Sequence, residues 1–319
     1  MTSPTNQPSS QPPSSAAARA TSAPAPGRLA EVRARLDLPL LRRAAGLLEG
    51  RHHSIFKGHG QDFDDLSLYS PGDDVGDIDW KSSARAGIPI LRRFVRQSNL
   101  TTVIAADTGR EMAALSSGHE TKADVAVFLA SVVSYLARDR GDRVALVAGD
   151  AGRLTQRPPR ASTQDLELML HVLAGAYGAD GPPSDLSAVL SRVEAAYRRR
   201  SLVVVLTDEA HPTPLEAQQL RRLRERHEVV VLTVADADPV TIGSDGRAVA
   251  DVASRHELPE FLRGRAALAD AVETEQAQHR AANRAFFNRE RILHTSAGAV
   301  DDAVAQLVAL LGRRSIVHR

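Results

Sequence analysis

The sequence predicts an α/β protein in which a mostly parallel sheet carries helices on both faces, preceded by a small β-rich unit and a polar tail. Three observations predict this. From Leu100 onward, short apolar runs alternate with amphipathic stretches. Strands that read as near-continuous apolar runs are those covered on both faces, the pattern of a parallel sheet. Residues 51–98 lose the helical period: glycines stand at 58, 60, 72, 76 and 87, and acids at 62, 64, 65, 73, 74, 77 and 79. Residues 1–27 are Pro, Ser, Thr and Ala with no apolar run, so they bury too little surface to offset chain entropy. The expected boundaries are 1–27 for a disordered tail, 28–99 for a helix plus the small unit, and 100–319 for the sheet domain.

Each element follows in order. Leu29, Val32, Leu36, Leu40, Leu41, Ala44, Leu47 and Leu48 recur at helical spacing, with a break expected at Pro39 and a stop at Gly50. Ile88–Phe94 alternates as a strand does. Thr102–Asp107 is the first buried strand, and a helix follows over Lys122–Arg138. Arg143–Ala148 and Arg153–Thr155 flank Gly149-Asp150-Ala151-Gly152 and read as a hairpin. Helices fit Thr163–Ala176 and Asp185–Arg198, then a strand Leu202–Leu206 ending in Thr207-Asp208. A helix Pro214–Arg226 and a strand Val229–Val234 come next. A loop with two strand-like fragments, a long helix Arg263–Asn288, a strand Ile292–Thr295 and a helix Val300–Leu311 complete the chain.

Composition narrows the function. Lys+Arg 40 against Asp+Glu 39 leaves a formal charge of +1, and aromatic residues are 4%, so no nucleic-acid partner is expected. Cysteine is absent, which removes disulfides, thiolate metal sites and a cysteine nucleophile. No apolar run reaches the length of a membrane span and the first 27 residues lack a signal-like core, so a cytoplasmic location is expected. There is no P-loop string and no G-x-S-x-G elbow. His52, His53 and His59 fit no strong zinc spacing. Lysine is confined to positions 57, 81 and 122.

Open α/β sheets bind ligands beyond the carboxyl ends of their strands, so Asp107 and Asp208 carry the most weight. The order strand–Asp107-Thr108-Gly109-Arg110-Glu111, then a loop with Ser184, then strand–Asp208, resembles the von Willebrand factor A domain over about residues 100–319. That family's metal-ion-dependent adhesion site uses D-x-S-x-S, a later Thr and a later Asp. The resemblance implies Asp107, Ser184 and Asp208 as ligands. Gly109 and Glu111 depart from the two serines, and Glu111 brings a carboxylate that fills an open position. Mg²⁺ wants near-octahedral oxygen ligands. Two readings stand: a degenerate Mg²⁺ site of Asp107, Ser184, Asp208 and Glu111, or acids that only cap helices and loop amides.

Residues 50–94 carry the most distinctive text. Gly50, Ser54, Gly58, Gly60, Phe63, Tyr69, Pro71, Gly72, Asp73, Asp74, Ile78, Asp79, Trp80, Ala84 and Arg85 match in one register a pattern of the DUF58 family, which this string strongly resembles. In that family the pattern precedes a von Willebrand A-like domain. Pro71-Gly72-Asp73 reads as a tight turn, and Trp80, the only tryptophan, as a core anchor. The resemblance implies a non-enzymatic protein-interaction module, an adaptor or partner of a MoxR-type AAA+ chaperone ATPase and its protein clients. The alternative is a metal-dependent hydrolase or nuclease: Asp73 and Asp79-Trp80-Lys81 are similar to the D…[DE]-x-K arrangement in which two carboxylates hold Mg²⁺ and lysine orients water.

Overall fold

The computed structural model describes residues 27–35, 62–68, 80–88, 90–95, 100–242 and 248–312. The first helix, α1 (Arg28–Arg35), has its N-terminal amides capped from a distance. The Arg28 and Leu29 N–H groups donate to the two carboxylate oxygens of Glu167 at 2.9 and 2.8 Å, which satisfies two donors that a helix start leaves unpaired. Its Leu29 and Val32 are buried among the helices of the sheet domain. Pro39, the expected break, lies outside the described residues.

Strands β1 (Asp62–Leu68) and β2 (Ile90–Val95) pair antiparallel, with a register irregularity between Phe63 and Asp65. Between them the chain forms a short helix, α2 (Trp80–Ala86), where no helical pattern was expected. Trp80 is 68% exposed at its start. The expected core anchor is therefore corrected: Trp80 belongs to neither of the two core layers that close the faces of the sheet. Gly58, Gly60, Tyr69, Pro71, Gly72, Asp73, Asp74 and Asp79 lie outside the described residues, and Phe63 is placed only by its backbone.

The sheet domain opens with β3 (Thr101–Asp107) and helix α3 (Lys122–Asp139). The hairpin β4 (Arg143–Gly149) and β5 (Leu154–Arg160) leads to α4 (Thr163–Ala174) and α5 (Leu186–Ala196). Then come β6 (Leu202–Asp208), α6 (Pro214–Arg226) and β7 (Glu228–Val234). The expected loop with two strand-like fragments contains a short helix, α7 (Pro239–Ile242), an Ala250–Glu257 bridge and a 3-10 turn at Glu260–Leu262. The described residues end with α8 (Ala266–Arg289), β8 (Leu293–Ala297) and α9 (Val300–Gly312).

The six strands lie in the order β5-β4-β3-β6-β7-β8, with only β5 antiparallel. β5 runs five residues past its expected end, through Pro158 and Pro159 to Arg160. An edge strand tolerates prolines because its outer side needs no N–H donors. Successive side chains of β3 and β6 alternate between two cores. Ile104, Ala106, Val204 and Leu206 meet the layer of α1, α3, α4 and α9. Val103, Ala105, Val203 and Val205 meet α5, α6 and Phe287 of α8. Period two on a sheet covered on both faces accounts for the continuous apolar runs.

One core contact makes stability pH-dependent. His294 stacks on Phe287 at 4.3 Å between centroids, and Thr233 Oγ1 shares a hydrogen bond with its Nε2 at 3.0 Å. Burial, with Arg284 adding, pulls its pKa down to about 4. The unfolded chain takes up a proton near the ordinary value of 6.5, whereas the folded chain waits until about pH 4. The contribution is complete above 6.5 and is lost as pH falls toward 4. Between pH 8 and pH 5 this site removes about 2 kcal/mol. Urea unfolding at the two pH values should show that loss in the wild type and a smaller one in His294→Gln. An identical pH dependence in both proteins would rule the site out as its source.

Candidate functional site

Strand order reverses at β3, which has β4 on one side and β6 on the other. The loops leaving β3 and β6 therefore separate and open a crevice at the strand ends. Asp107 closes β3 and Asp208 closes β6, so their carboxylates stand at its floor, 1% and 4% exposed.

The structure brings together all four residues expected from the sequence. Ser184 Oγ donates to Asp107 Oδ2 at 2.6 Å, and the Ser184 N–H donates to Glu111 Oε2 at 3.0 Å. Asp107 Oδ1 accepts from the Gly109 N–H at 2.9 Å, and its Oδ2 also accepts from Thr207 Oγ1 at 3.2 Å. Asp208 Oδ1 accepts from the Ala210 N–H at 3.0 Å. Its Oδ2 receives the ammonium of Lys122 at 2.8 Å.

Residues not singled out in the sequence complete the centre. Lys122, the first residue of α3, has a side chain only 3% exposed and also pairs with Asp236, two residues past the end of β7. His211 lies against the same group: its Nε2 is 3.2 Å from Ser184 Oγ and 3.6 Å from Asp107 Oδ2, and its Nδ1 is 2.7 Å from Glu216 Oε2. Glu216 is fixed in turn by a capping box, since the Thr213 N–H donates to it at 2.7 Å and its own N–H donates to Thr213 Oγ1. Lys122 had one sequence signal: a cation at the first position of a helix opposes the macrodipole and needs an acidic partner.

The charges follow from this wiring. Burial pushes the Asp107 carboxyl up, and its hydrogen bonds to Ser184 and Gly109 do not fully offset that. Burial acts the same way on Asp208, but the Lys122 ammonium outweighs it and holds that carboxyl below the usual range. Burial would lower Lys122, yet Asp208 and Asp236 leave it above the ordinary lysine value. Burial would also lower His211, yet Glu216, Asp208 and Asp107 raise it.

The residues do not fit a divalent metal. Both Asp107 oxygens and both Asp208 oxygens already accept hydrogen bonds, and a buried ammonium sits on Asp208. Among the described residues no group of three or more His, Asp or Glu is arranged to hold a metal ion. The departure at Gly109 is steric as well as chemical. A Cβ there would meet the Ser184 backbone N, lie 2.5 Å from its Cα and lie 2.8 Å from Glu111 Oε2. The loop carrying Ser184 fills the space that a motif serine needs.

Ser184, His211 and Glu216 have the connectivity of a Ser–His–acid triad. Their polarity is unsuited to acyl transfer. The serine hydroxyl is committed to Asp107, His211 is biased toward its protonated form, and the Ser184 N–H is bound by Glu111. A general base must be neutral, and an oxyanion needs donors rather than three nearby carboxylates.

Beside this centre lies a cavity of about 620 Å³, lined by Ser117, Glu209, Asp236, Asp238, Asp270 and Arg280 among others. Glu209 is held from one side by Ser296 Oγ at 2.7 Å, and its backbone carbonyl accepts from His279 and Asn283 of α8. The alternative site is not assembled among the described residues. Lys81 lies on α2, while Asp73 and Asp79 fall outside them. No described helix is long and apolar enough to cross a membrane.

Comparison with known proteins agrees with the signature in the sequence. The family described as "Protein of unknown function DUF58" matches residues 65–282. Uncharacterized proteins of Mycobacterium tuberculosis and Mycobacterium bovis are each 29% identical over 255 residues, 80% of this chain and 80% of theirs. Among solved structures, an aerotolerance-related membrane protein from Bacteroides fragilis, carrying multiple mutations to serine, is 15% identical. It aligns with a TM-score of 0.42 over 67% of this chain and 99% of that one. A von Willebrand factor type A protein from Catenulispora acidiphila is 15% identical, with a TM-score of 0.36 over 68% of this chain and 42% of that one.

Proposed function

The chain belongs to the DUF58 family, and from that premise we propose that it is a non-enzymatic protein-interaction module, an adaptor or partner of a MoxR-type AAA+ chaperone ATPase and its clients. One observation carries the reading. The strand-end crevice has a floor of side chains paired by hydrogen bonds and ion pairs, and it opens beside a cavity of about 620 Å³ with several acidic groups in its lining, large enough for a partner's side chains. A nucleophile and its base would have to be free to exchange protons; here Ser184 and His211 are held between carboxylates. A preformed concavity suits docking, where pre-organisation reduces the ordering cost of association. The von Willebrand A-like sheet supplies the scaffold, and fold alone does not assign the partner.

Affinity capture of the tagged full chain from its own lysate, with Mg²⁺ and ATP, tests the reading. An AAA+ ATPase of the MoxR type should be enriched over a tag-only control. Asp270→Lys, on the exposed rim of the cavity, should reduce that enrichment several-fold. Wild-type capture without the ATPase would sink the adaptor reading. Equal capture by the variant would move the contact to another face.

A further inference from the structure

We infer that the Lys122 ammonium is the resident cation of the strand-end centre, offsetting the Asp208 and Asp236 carboxylates, so that the centre assembles without metal. The inference rests on geometry. Lys122 Nζ lies on Asp208 Oδ2 at 2.8 Å and on Asp236 Oδ1, and its side chain is 3% exposed. It reaches this point from the first turn of α3, the positive end of the helix dipole, where a cation is disfavoured unless acids hold it. Asp208 at the end of β6 and Asp236, two residues past the end of β7, are those acids. A second internal cation works on the other side: His211 lies between Glu216 and Asp107. Gly109 removes one motif hydroxyl, and the Ser184 backbone occupies its place. The strand-end acids are therefore offset by side chains of the same molecule.

The arrangement differs from an ordinary buried ion pair in what its loss exposes. Deleting the ammonium leaves the Asp208 and Asp236 carboxylates facing one small void. Two carboxylates completed by water are the usual protein contribution to a Mg²⁺ site. Lys122→Ala should thus uncover a divalent site that the wild type lacks. The inference concerns the centre itself and holds whatever docks beside it.

Thermal melts of the full chain test it. Each protein is melted in EDTA and then with increasing MgCl₂ or MnCl₂. Wild-type Tm should not depend on the divalent ion. Lys122→Ala should melt about 5 °C or more lower in EDTA and should recover part of that loss, saturably, as Mn²⁺ or Mg²⁺ is added. Recovery should vanish in Lys122→Ala/Asp208→Asn. A saturable rise of the wild-type Tm, lost in Asp208→Asn, would overturn the inference without any lysine variant. A folded Lys122→Ala that no divalent ion stabilises would overturn it as well.

Discussion

Asp208→Ala is expected to lower the free energy of unfolding by about 3–5 kcal/mol, the cost of stranding one member of a buried ion pair. Asp208 holds the ammonium of Lys122 at 2.8 Å and the N–H of Ala210 at 3.0 Å, and its side chain is 6% exposed. After truncation, Lys122, whose side chain is 3% exposed, keeps only Asp236, whose side chain is 34% exposed. The loss is larger than that of a surface pair because the ammonium stays largely buried with one of its two carboxylates gone. Equilibrium urea unfolding of Asp208→Ala, Lys122→Met and the double variant checks this. The double variant should lose about 1–3 kcal/mol less than the sum of the single losses, since removing both charges removes the mismatch. Strict additivity would mean that the two groups do not stabilise each other. A loss below about 1 kcal/mol for Asp208→Ala would place the pair in the class of exposed ion pairs.

The sheet was legible because its strands are buried on both faces. Thr102–Asp107 and Leu202–Asp208 read as apolar runs because both the α3 layer and the α5 layer cover them. Asp107 and Asp208 were legible as the polar residues that end those runs, and the loop serine at 184 was reached through the resemblance to the A-domain motif. The wiring was not legible. Lys122, His211 and Asp236 reach the centre across 86, 104 and 114 residues of sequence separation from Asp208, Asp107 and Lys122 respectively, and no local period records such contacts. The exposed Trp80 reversed its expected burial for a related reason. Hydrophobicity alone predicts that a lone tryptophan is covered, whereas the two core layers of the sheet domain are built without it. The short helix α2 was missed because seven residues, Trp80–Ala86, present too few turns for an apolar face to repeat.

Gly109→Ser, which restores the first serine of the adhesion-site motif, is expected to cost about 3 kcal/mol, near the upper end for overpacking a closed site, and to create no Mg²⁺ binding. The reason lies in backbone rather than side-chain chemistry. The added Cβ would lie 2.5 Å from the Ser184 Cα and closer still to its N. Rotating a flexible side chain cannot relieve a clash with main chain, so the 182–184 segment must move. That segment is anchored: the Pro182 carbonyl accepts from the Arg110 N–H, the Pro183 carbonyl accepts from the Ala151 N–H, and the Ser184 hydroxyl donates to Asp107. Glu111→Ser makes the contrasting case. It restores the second serine in open geometry and forfeits only the acceptor for the Ser184 N–H, a loss of about 1 kcal/mol. Urea midpoints for the two variants should therefore rank Gly109→Ser well below Glu111→Ser. Calorimetric titration with MgCl₂ should give no binding heat for either, because the Lys122 ammonium still occupies Asp208. Wild-type stability in Gly109→Ser, together with Mg²⁺ binding, would show that the Ser184 loop yields readily and that the motif had lost only a hydroxyl.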